Sequence, residues 1–251
     1  MTDTQPGRVH RAAWLVGGAI LAVVVGLGLY VQTRPAPPLL AVPESARLAE
    51  APKSADRPSV RPRPSGGAGR ALTVGTPWVD HTASVTGVPA PAVRAYGAAT
   101  LLEAREDPSC RLGWTTLAGV GWVESQQGTI DGRTLHADGT PSAPITGPSL
   151  DGGKDVAAIP DSSGGWARAL GPMQFIPSTW EQWAADGDGD GRADPQDIDD
   201  AALAAARYLC ASGGDLSTGA GWSAAIYSYN HSADYVRAVY DAAQAYASRD
   251  S

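Results

Sequence analysis

The sequence predicts an α+β fold that is mostly helical, carries a small irregular β portion, and follows one transmembrane helix and a disordered linker. Three observations support this prediction. An uncharged apolar stretch lies near the N-terminus, and a Pro/Arg-rich stretch without apolar periodicity follows it. Segments with the apolar spacing of helices then occupy the C-terminal part. The chain is therefore expected to contain a tail, an anchor, a tether and one folded domain.

The anchor is predicted over residues 12–31, an uncharged run of the length that crosses a bilayer as a helix. Arg8 and Arg11 precede it, so the positive-inside rule places residues 1–11 in the cytoplasm and the rest outside. Arg34, on the far side, weakens this bias slightly. A long cleaved signal peptide is the alternative, although no A-x-A cleavage site follows. We expect a single-pass protein of the cytoplasmic membrane with an extracytoplasmic domain.

The linker is predicted over residues 32–77. Pro recurs every few residues there, arginines outnumber acidic residues from Gln32 to Gly75, and no apolar period is sustained. Such a composition is typical of a disordered, partly extended tether. Its reach, on the order of 40 Å, suits a domain that is fixed to a membrane and works some distance from it.

The net charge of −7 argues against a nucleic-acid partner, because nucleic-acid-binding proteins usually carry a basic surface. Cys110 and Cys210 are the only cysteines, and neither lies in a CxxC motif. In a cytosolic protein they would be buried free thiols, whereas an exported domain favours a disulfide between them. The predicted export therefore predicts a Cys110–Cys210 bridge, which would stabilise the fold by about 4–5 kcal/mol if loop entropy dominates. We expect a monomer.

The folded domain is predicted over residues 78–251. Apolar spacing predicts helices over 92–106, 112–125, 200–210, 222–229 and 232–248. Ser178 and Glu181 fit a capping box at the start of a further helix. A long Gly/Pro/Asp-rich stretch follows residue 128, and short strands are predicted within it at 129–130 and 133–135. Loops of this length in a compact domain are usually functional.

A lone acidic residue, Glu124, ends the apolar helix predicted over 112–125. Trp114, Leu117 and Gly121 precede it at spacings of three and four, which places Glu124 at the edge of the apolar stripe. Loss of hydration raises the pKa of a carboxyl group, as a general acid at neutral pH requires. From this helix alone, a surface Glu that caps the helix or pairs with an arginine is equally compatible.

An Asp-rich segment spans residues 186–197. Counted as a twelve-residue Ca²⁺ loop, it has aspartates at positions 1, 3, 5, 9 and 12 and Gly191 at the position-6 turn. Clustered carboxylates repel one another unless a cation gathers them. An Asp at position 12 has a shorter arm than the usual Glu, which predicts modest affinity, and a solvated acidic turn is the alternative. The predicted ligands are Asp186, Asp188, Asp190, the Arg192 carbonyl, Asp194 and Asp197.

Three motifs in order, Glu124-Ser125, Gly171-Pro-Met-Gln-Phe175 and Tyr229-Asn230, resemble those of lytic transglycosylases with a goose-type lysozyme-like fold. An Asp-rich loop after GPMQFIPSTW is characteristic of the membrane-bound lytic transglycosylase B type of bacteria. The similarity covers roughly residues 88–246. It implies a lysozyme-like domain whose partner is the glycan strand of peptidoglycan.

The resemblance implies that Glu124 is the sole general acid and base. It also implies that the residues at the matching motif positions bind substrate, namely Ser125, Gln174, Tyr229 and Asn230. The implied reaction cleaves the β-1,4 bond between N-acetylmuramic acid and N-acetylglucosamine, forms a 1,6-anhydro end and consumes no water. Nothing in the sequence places the Ca²⁺ loop near Glu124, so the ion is expected to be structural.

Two other functions stay open at this point. A hydrolytic muramidase needs a second carboxylate, which the long loop could supply from Asp131, Asp138, Asp151, Asp155 or Asp161. A noncatalytic, calcium-dependent cell-wall-binding module would keep the cleft without turnover. Trp122 and Trp166 are candidates for stacking on sugars, and His231 is expected to be a turn residue before the last helix.

Overall fold

The computed structural model describes residues 41–53, 57–59, 73–153, 158–162 and 164–250. All of them belong to the unit Pro38–Ser251. The predicted cytoplasmic tail, the anchor and parts of the linker lie outside the described residues. In the part that is described, no helix has the length and apolar character needed to span a membrane.

Helices dominate the described residues. They are α1 (Thr76–Thr86), α2 (Ala90–Glu106), α3 (Trp114–Ser125), α4 (Pro177–Trp183), α5 (Ile198–Gly213), α6 (Gly219–Tyr229) and α7 (Ala233–Arg249), with short 3-10 helices at Glu44–Ala46 and Ile130–Gly132. The five helices predicted from apolar spacing are confirmed, with ends that differ by up to three residues. Helix α1 was not predicted, and it begins two residues before the expected start of the domain.

Helix α3 lies at the centre of the core. It packs against α7, while α2 packs against α5 and α5 against α6. Trp114, Leu117 and Val120 of α3 are fully buried. Gly119 allows the close approach of α7, because a Cβ there would lie 2.7 Å from the carbonyl oxygen of Val239. The central position of α3 leaves only its C-terminal end near the surface.

The β portion is a two-stranded antiparallel sheet of β1 (Thr146–Ser149) and β2 (Arg168–Leu170). A mostly helical fold with a small β portion is thus confirmed, but the predicted strand positions, 129–130 and 133–135, are wrong. Thr129 has a ψ angle of 6° and Ile130 begins the 3-10 helix Ile130–Gly132, so neither residue has the extended backbone of a strand. Leu135 forms only an isolated bridge.

The predicted capping box at Ser178 and Glu181 is also wrong. Helix α4 begins one residue earlier, at Pro177, and its N-cap is Ile176, which makes no side-chain cap. Proline suits the first helical position because its φ is already helical and the missing N–H needs no partner there. Proline therefore sets the start of this helix.

Residues 41–53 lie against α6 and α7. The backbone N–H of Leu48 donates to Ser223 Oγ at 3.0 Å, and that of Lys53 donates to Gln244 Oε1 at 2.9 Å. The prediction of a free tether is therefore wrong for this part of the linker. Backbone N–H groups of this segment donate to side chains of the folded domain. The apolar spacing of the segment, on which the prediction was based, does not indicate such contacts.

The predicted disulfide joins Cys110, in the loop after α2, to Cys210 in α5, with a Cα–Cα distance of 5.3 Å. It closes a loop whose ends are separated by 100 residues in sequence. Because α3 lies within that loop, the bridge restrains the part of the chain that carries Glu124.

Candidate active site

Glu124 lies in the last turn of α3 and is half-buried. The hydroxyl of Tyr235 donates a hydrogen bond to Glu124 Oε1 at 2.5 Å. Burial raises the pKa of Glu124 to about 7, while the hydrogen bond from Tyr235 acts in the opposite direction. The predicted rise of this pKa is confirmed, and the carboxyl group changes its charge near neutral pH.

Tyr235 belongs to the first turn of α7, where its backbone N–H donates to the N-cap Ser232. Its ring stacks on that of Tyr229, with centroids 6.5 Å apart and planes within 5°. The Tyr229 hydroxyl donates to the carbonyl oxygen of Met173 at 2.8 Å. Two tyrosines from α6 and α7 thus form one wall beside Glu124.

Sequence reasoning missed Tyr235. The helix predicted over 232–248 places this residue in a first turn, close to the Tyr229-Asn230 motif. No local signal shows that its hydroxyl reaches Glu124, because the two residues are 111 positions apart. The contact depends on how α3 crosses α7.

The turn after α3 is unusual. Gln126, Gln127 and Gly128 follow one another with φ angles of 53°, 65° and 81°. Two consecutive left-handed non-glycine residues are costly, and such strain concentrates at functional sites. Gln127 is locked in place, because Oε1 accepts from the Tyr96 hydroxyl at 2.5 Å and Nε2 donates to the Ala118 carbonyl at 2.9 Å. The helix end that carries Glu124 is thereby held rigidly.

Ser125 is fully buried. Its Oγ donates to the carbonyl oxygen of Pro172 at 2.6 Å and accepts from the Gly128 N–H at 2.8 Å. It joins the end of α3 to residues 171–175, which we call the GPMQF turn. This differs from the predicted substrate contact, because the side chain exposes no surface to a ligand.

Gln174 has a left-handed backbone, with φ at 50°. Its Nε2 donates to the Gly171 carbonyl at 2.8 Å, and a Cβ added to Gly147 would lie 2.7 Å from its Oε1. The side chain therefore lies between the GPMQF turn and β1. Asn230 is exposed where α6 ends, and in the described residues no hydrogen bond joins it or Gln174 to Glu124.

Three of the five candidates for a second carboxylate have hydrogen-bond or ion-pair partners other than Glu124. Asp131 pairs with Arg133 at 3.0 Å, and Asp138 accepts from the Thr140 hydroxyl at 2.8 Å. Asp151 accepts from the N–H of Gly153, and Asp155 lies outside the described residues. Within the described ranges, no neighbouring carboxylate shifts the pKa of Glu124.

Three carboxylates come together at the Asp loop, residues 186–197, and at the start of α5. Asp186, Asp188 and Asp200 each offer an oxygen, and these oxygens lie within 4.8 Å of one another. Asp200 is buried and accepts from the backbone N–H groups of Gly187 at 2.6 Å and Asp194 at 2.8 Å. Burial raises the pKa of Asp200 to about 6, and the carboxylates of Asp188 and Asp186 contribute to this rise.

Asp197, which was predicted as the last ligand, is not part of this cluster. Asp197 is the N-cap of α5, and its Oδ1 accepts from the Asp199 N–H at 2.8 Å. Its carboxylate also borders Gly139, where a Cβ would lie 2.6 Å from it. Counting positions in the sequence assumed a twelve-residue loop, whereas the acidic side chain that returns to Asp186 is Asp200.

Two further predicted ligands, Asp190 and Asp194, are not part of this carboxylate cluster. Asp190 accepts from the Arg192 N–H and Asp194 from the Gln196 N–H, each at 2.8 Å. These bonds shape the turns of the Asp loop. The three clustered carboxylates are hard oxygen donors, which fit a Ca²⁺ ion better than a soft metal.

Residues 154–225 match the Transglycosylase SLT domain. The matched stretch contains the GPMQF turn, the Asp loop and Asp200, whereas Glu124 and Tyr235 lie outside it. No curated protein matches the chain significantly.

Three solved structures are similar to this chain, each with a TM-score of 0.42 and each covering 71% of it. They are the Escherichia coli lytic transglycosylase Slt35 in complex with bulgecin A (16% identity, 76% of that chain covered), the same enzyme in complex with calcium (16%, 77%) and a 36 kDa muramidase/transglycosylase (17%, 77%).

Proposed function

We propose that the chain is a lytic transglycosylase that cleaves the β-1,4 bond between N-acetylmuramic acid and N-acetylglucosamine in peptidoglycan, with Glu124 as its sole general acid and base. The observation that carries this proposal is the half-buried Glu124 carboxyl, hydrogen-bonded by Tyr235, with a pKa of about 7. The match of residues 154–225 to the Transglycosylase SLT domain supports the substrate class separately, because that stretch does not include Glu124.

The first step is proton donation. Near neutral pH a large fraction of Glu124 is protonated, so it can give its proton to the glycosidic oxygen as the bond to the muramoyl anomeric carbon breaks. The carboxylate left behind is stabilised by the hydroxyl of Tyr235, which donates to its Oε1. The N-acetylglucosamine end departs with a free hydroxyl group.

In the second step Glu124 acts as a base. It removes the proton of the muramoyl C6 hydroxyl while that oxygen attacks its own anomeric carbon and closes the 1,6-anhydro ring. One carbon–oxygen bond breaks, one forms, and the proton returns to Glu124. Because the nucleophile belongs to the substrate, the second carboxylate of ordinary glycosidases is unnecessary.

The Asp loop supplies a structural calcium site in this proposal. Asp186 and Asp188 of the loop and Asp200 of α5 would hold the ion, which would offset the repulsion among them. The ion takes no part in the steps above. We further propose that residues 12–31 anchor the chain in the cytoplasmic membrane, with the folded domain on the cell-wall side.

Mass spectrometry of the muropeptides that the purified protein releases from sacculi tests the reaction. Products lighter by one water than those of lysozyme are expected. Full-mass reducing products would instead indicate a hydrolytic muramidase and direct attention to Asp151 and its neighbours as the second carboxylate. Release of no product, with sacculus binding unchanged in Glu124→Gln, would indicate a noncatalytic binding module.

A further inference from the structure

A cavity lies at the end of α3, and neither Tyr229 nor Tyr235 lines it. Its volume is about 570 Å³, which falls within the range of about 300–1,000 Å³ typical of small-molecule sites. Its residues come from α3 and the turn after it, from the α1–α2 connection and from α7. They include Trp122, Gln126, Thr86, Thr129, Ala245 and Arg249.

Trp122 lines this cavity, whereas Glu124 does not. Trp122 and Glu124 are two positions apart, which corresponds to about 200° around a helix. Trp122 is 48% exposed and Trp166, which does not line the cavity, is 45% exposed, whereas Trp114 is buried. An indole held on a helix at the edge of a cavity offers a flat apolar face with an N–H at its rim, which suits the apolar face of a sugar ring.

Polar groups surround this aromatic face. Gln126 is exposed and carries both amide donors and an acceptor. Arg249 Nη1 donates to the Thr86 carbonyl at 3.1 Å, which fixes the guanidinium group at the rim. None of the described lining residues is acidic, although the net charge of the chain is −7. The cavity therefore favours neutral or anionic ligands over cations.

The floor of the cavity is preformed. Gln127 is 2% exposed and Tyr246 is 7% exposed, and Gln127 Nε2 donates to the Tyr246 hydroxyl at 3.0 Å. The strained turn after α3 also places Gln126 in the lining of the cavity. A ligand would meet a fixed surface and would lose little free energy to ordering it.

We propose that this cavity is a second saccharide site, which binds acetylated amino-sugar units of a glycan strand away from the bond that is cleaved. Trp122 stacks on the ring, Gln126 hydrogen-bonds the acetamido group, and Arg249 faces the carboxylate of a muramoyl unit. The choice of polymer rests on the proposed function. Such a site increases the residence of the enzyme on polymeric sacculi and leaves the cleavage of short strands unchanged.

The first test uses NMR of the tryptophan indole N–H groups in the purified full chain, titrated with a tetramer of N-acetylglucosamine. The Trp122 signal is assigned with Trp122→Phe. It is expected to shift in a saturable manner, in the wild type and in Glu124→Gln alike. A Trp122 signal that does not move while the catalytic cleft saturates would overturn the proposal and would leave a protein or peptide partner as the occupant.

The second test blocks the cavity in the Glu124→Gln background, so that sacculi are bound without being cleaved. Ala245→Trp places a bulky side chain in the cavity, and Ala238→Trp is the control, because Ala238 is an exposed residue of α7 that does not line it. Sacculus binding is expected to weaken about fivefold in the first variant only. Equal binding by both variants would overturn the second site.

The two proposals fail separately. If Glu124→Gln still released muropeptides, the proposed function would be lost, but a saturable Trp122 shift would stand. If the Trp122 signal stayed fixed while wild-type protein released anhydro products, only the second site would be lost.

Discussion

The end of α3 and the Asp loop use carboxyl groups in opposite ways. Glu124 is a single carboxyl, half-buried beside tyrosine rings, and its pKa of about 7 results from lost hydration. Asp186, Asp188 and Asp200 are gathered within 4.8 Å of one another, and two of them add to the raised pKa of the third. A single buried carboxyl group avoids the cost of a desolvated charge by binding a proton. Clustered carboxylates lower their mutual repulsion by binding a cation.

The contrast sets the proposed proton donor apart from the candidate metal cluster, because no carboxylate of that cluster is among the causes of the raised pKa of Glu124. A cation close to Glu124 would lower the pKa of that group and weaken it as an acid. The Glu124 site is made by aromatic side chains from α6 and α7. The cluster is made by a loop whose backbone N–H groups hold the carboxylates.

The largest expected effect is the loss of muropeptide release when Glu124 is replaced. Glu124→Gln keeps the shape of the side chain but cannot exchange a proton, so the rate of muropeptide release should fall by about 100-fold or more. Circular dichroism and the thermal midpoint serve as the control for folding. A well-folded variant with a near-normal rate would contradict the assignment of Glu124.

The cluster is tested by its response to calcium. Saturating Ca²⁺ should raise the thermal midpoint of the wild type by roughly 5–10 °C, as expected for a ligand at about 100 times its dissociation constant. Asp200→Asn should remove most of this shift, because Asp200 supplies the buried oxygen of the cluster.

Asp197→Asn is the matched control for that experiment. Asp197 caps α5, and asparagine is also a good N-cap, so the calcium response of this variant should persist. If the calcium-induced rise of the thermal midpoint were lost in Asp197→Asn and kept in Asp200→Asn, the ligand would be Asp197, as the twelve-residue loop in the sequence predicts.

Tyr235→Phe tests how the hydrogen bond from Tyr235 affects the pKa of Glu124. The hydroxyl of Tyr235 lowers the pKa of Glu124 by stabilising its charged form, so its removal should raise that pKa. The alkaline limb of the pH–rate profile, where the acid is lost, should then move up by about one pH unit.

Tyr229→Phe provides the comparison, because the Tyr229 hydroxyl bonds to the Met173 carbonyl rather than to Glu124. Its alkaline limb should move less than that of Tyr235→Phe. Equal shifts in the two variants would mean that the hydrogen bond to Glu124 has no special effect on catalysis.

The last prediction concerns the pH dependence of stability. The pKa of Glu124 is about 7 in the folded protein and 4.5 in its unperturbed state, so the folded state binds the extra proton between those values. This group's contribution to stability therefore falls as pH rises from about 4.5 to 7. The thermal midpoint of Glu124→Gln, relative to the wild type, should rise over that window, and a constant difference would contradict the raised pKa.

The sequence predicts the helices well because apolar spacing is a local signal, and it predicts the disulfide because two cysteines allow only one pairing. It also predicts the raised pKa of Glu124, which follows from one acid on an apolar helix. Tyr235 and Asp200 escape prediction because their contacts join elements distant in sequence. Docking of residues 41–53 on α6 and α7 escapes for the same reason, since its hydrogen bonds join residues 175 and 191 positions apart.

The most direct test of this account is the titration of the Glu124 carboxyl carbon by ¹³C NMR in the free protein, with Glu124→Gln used to assign the signal. A midpoint near pH 7 is expected, because burial beside Tyr235 and Tyr229 disfavours the charged form. A midpoint near 4.5 would show that Glu124 is an ordinary hydrated carboxylate and would contradict its role as the general acid.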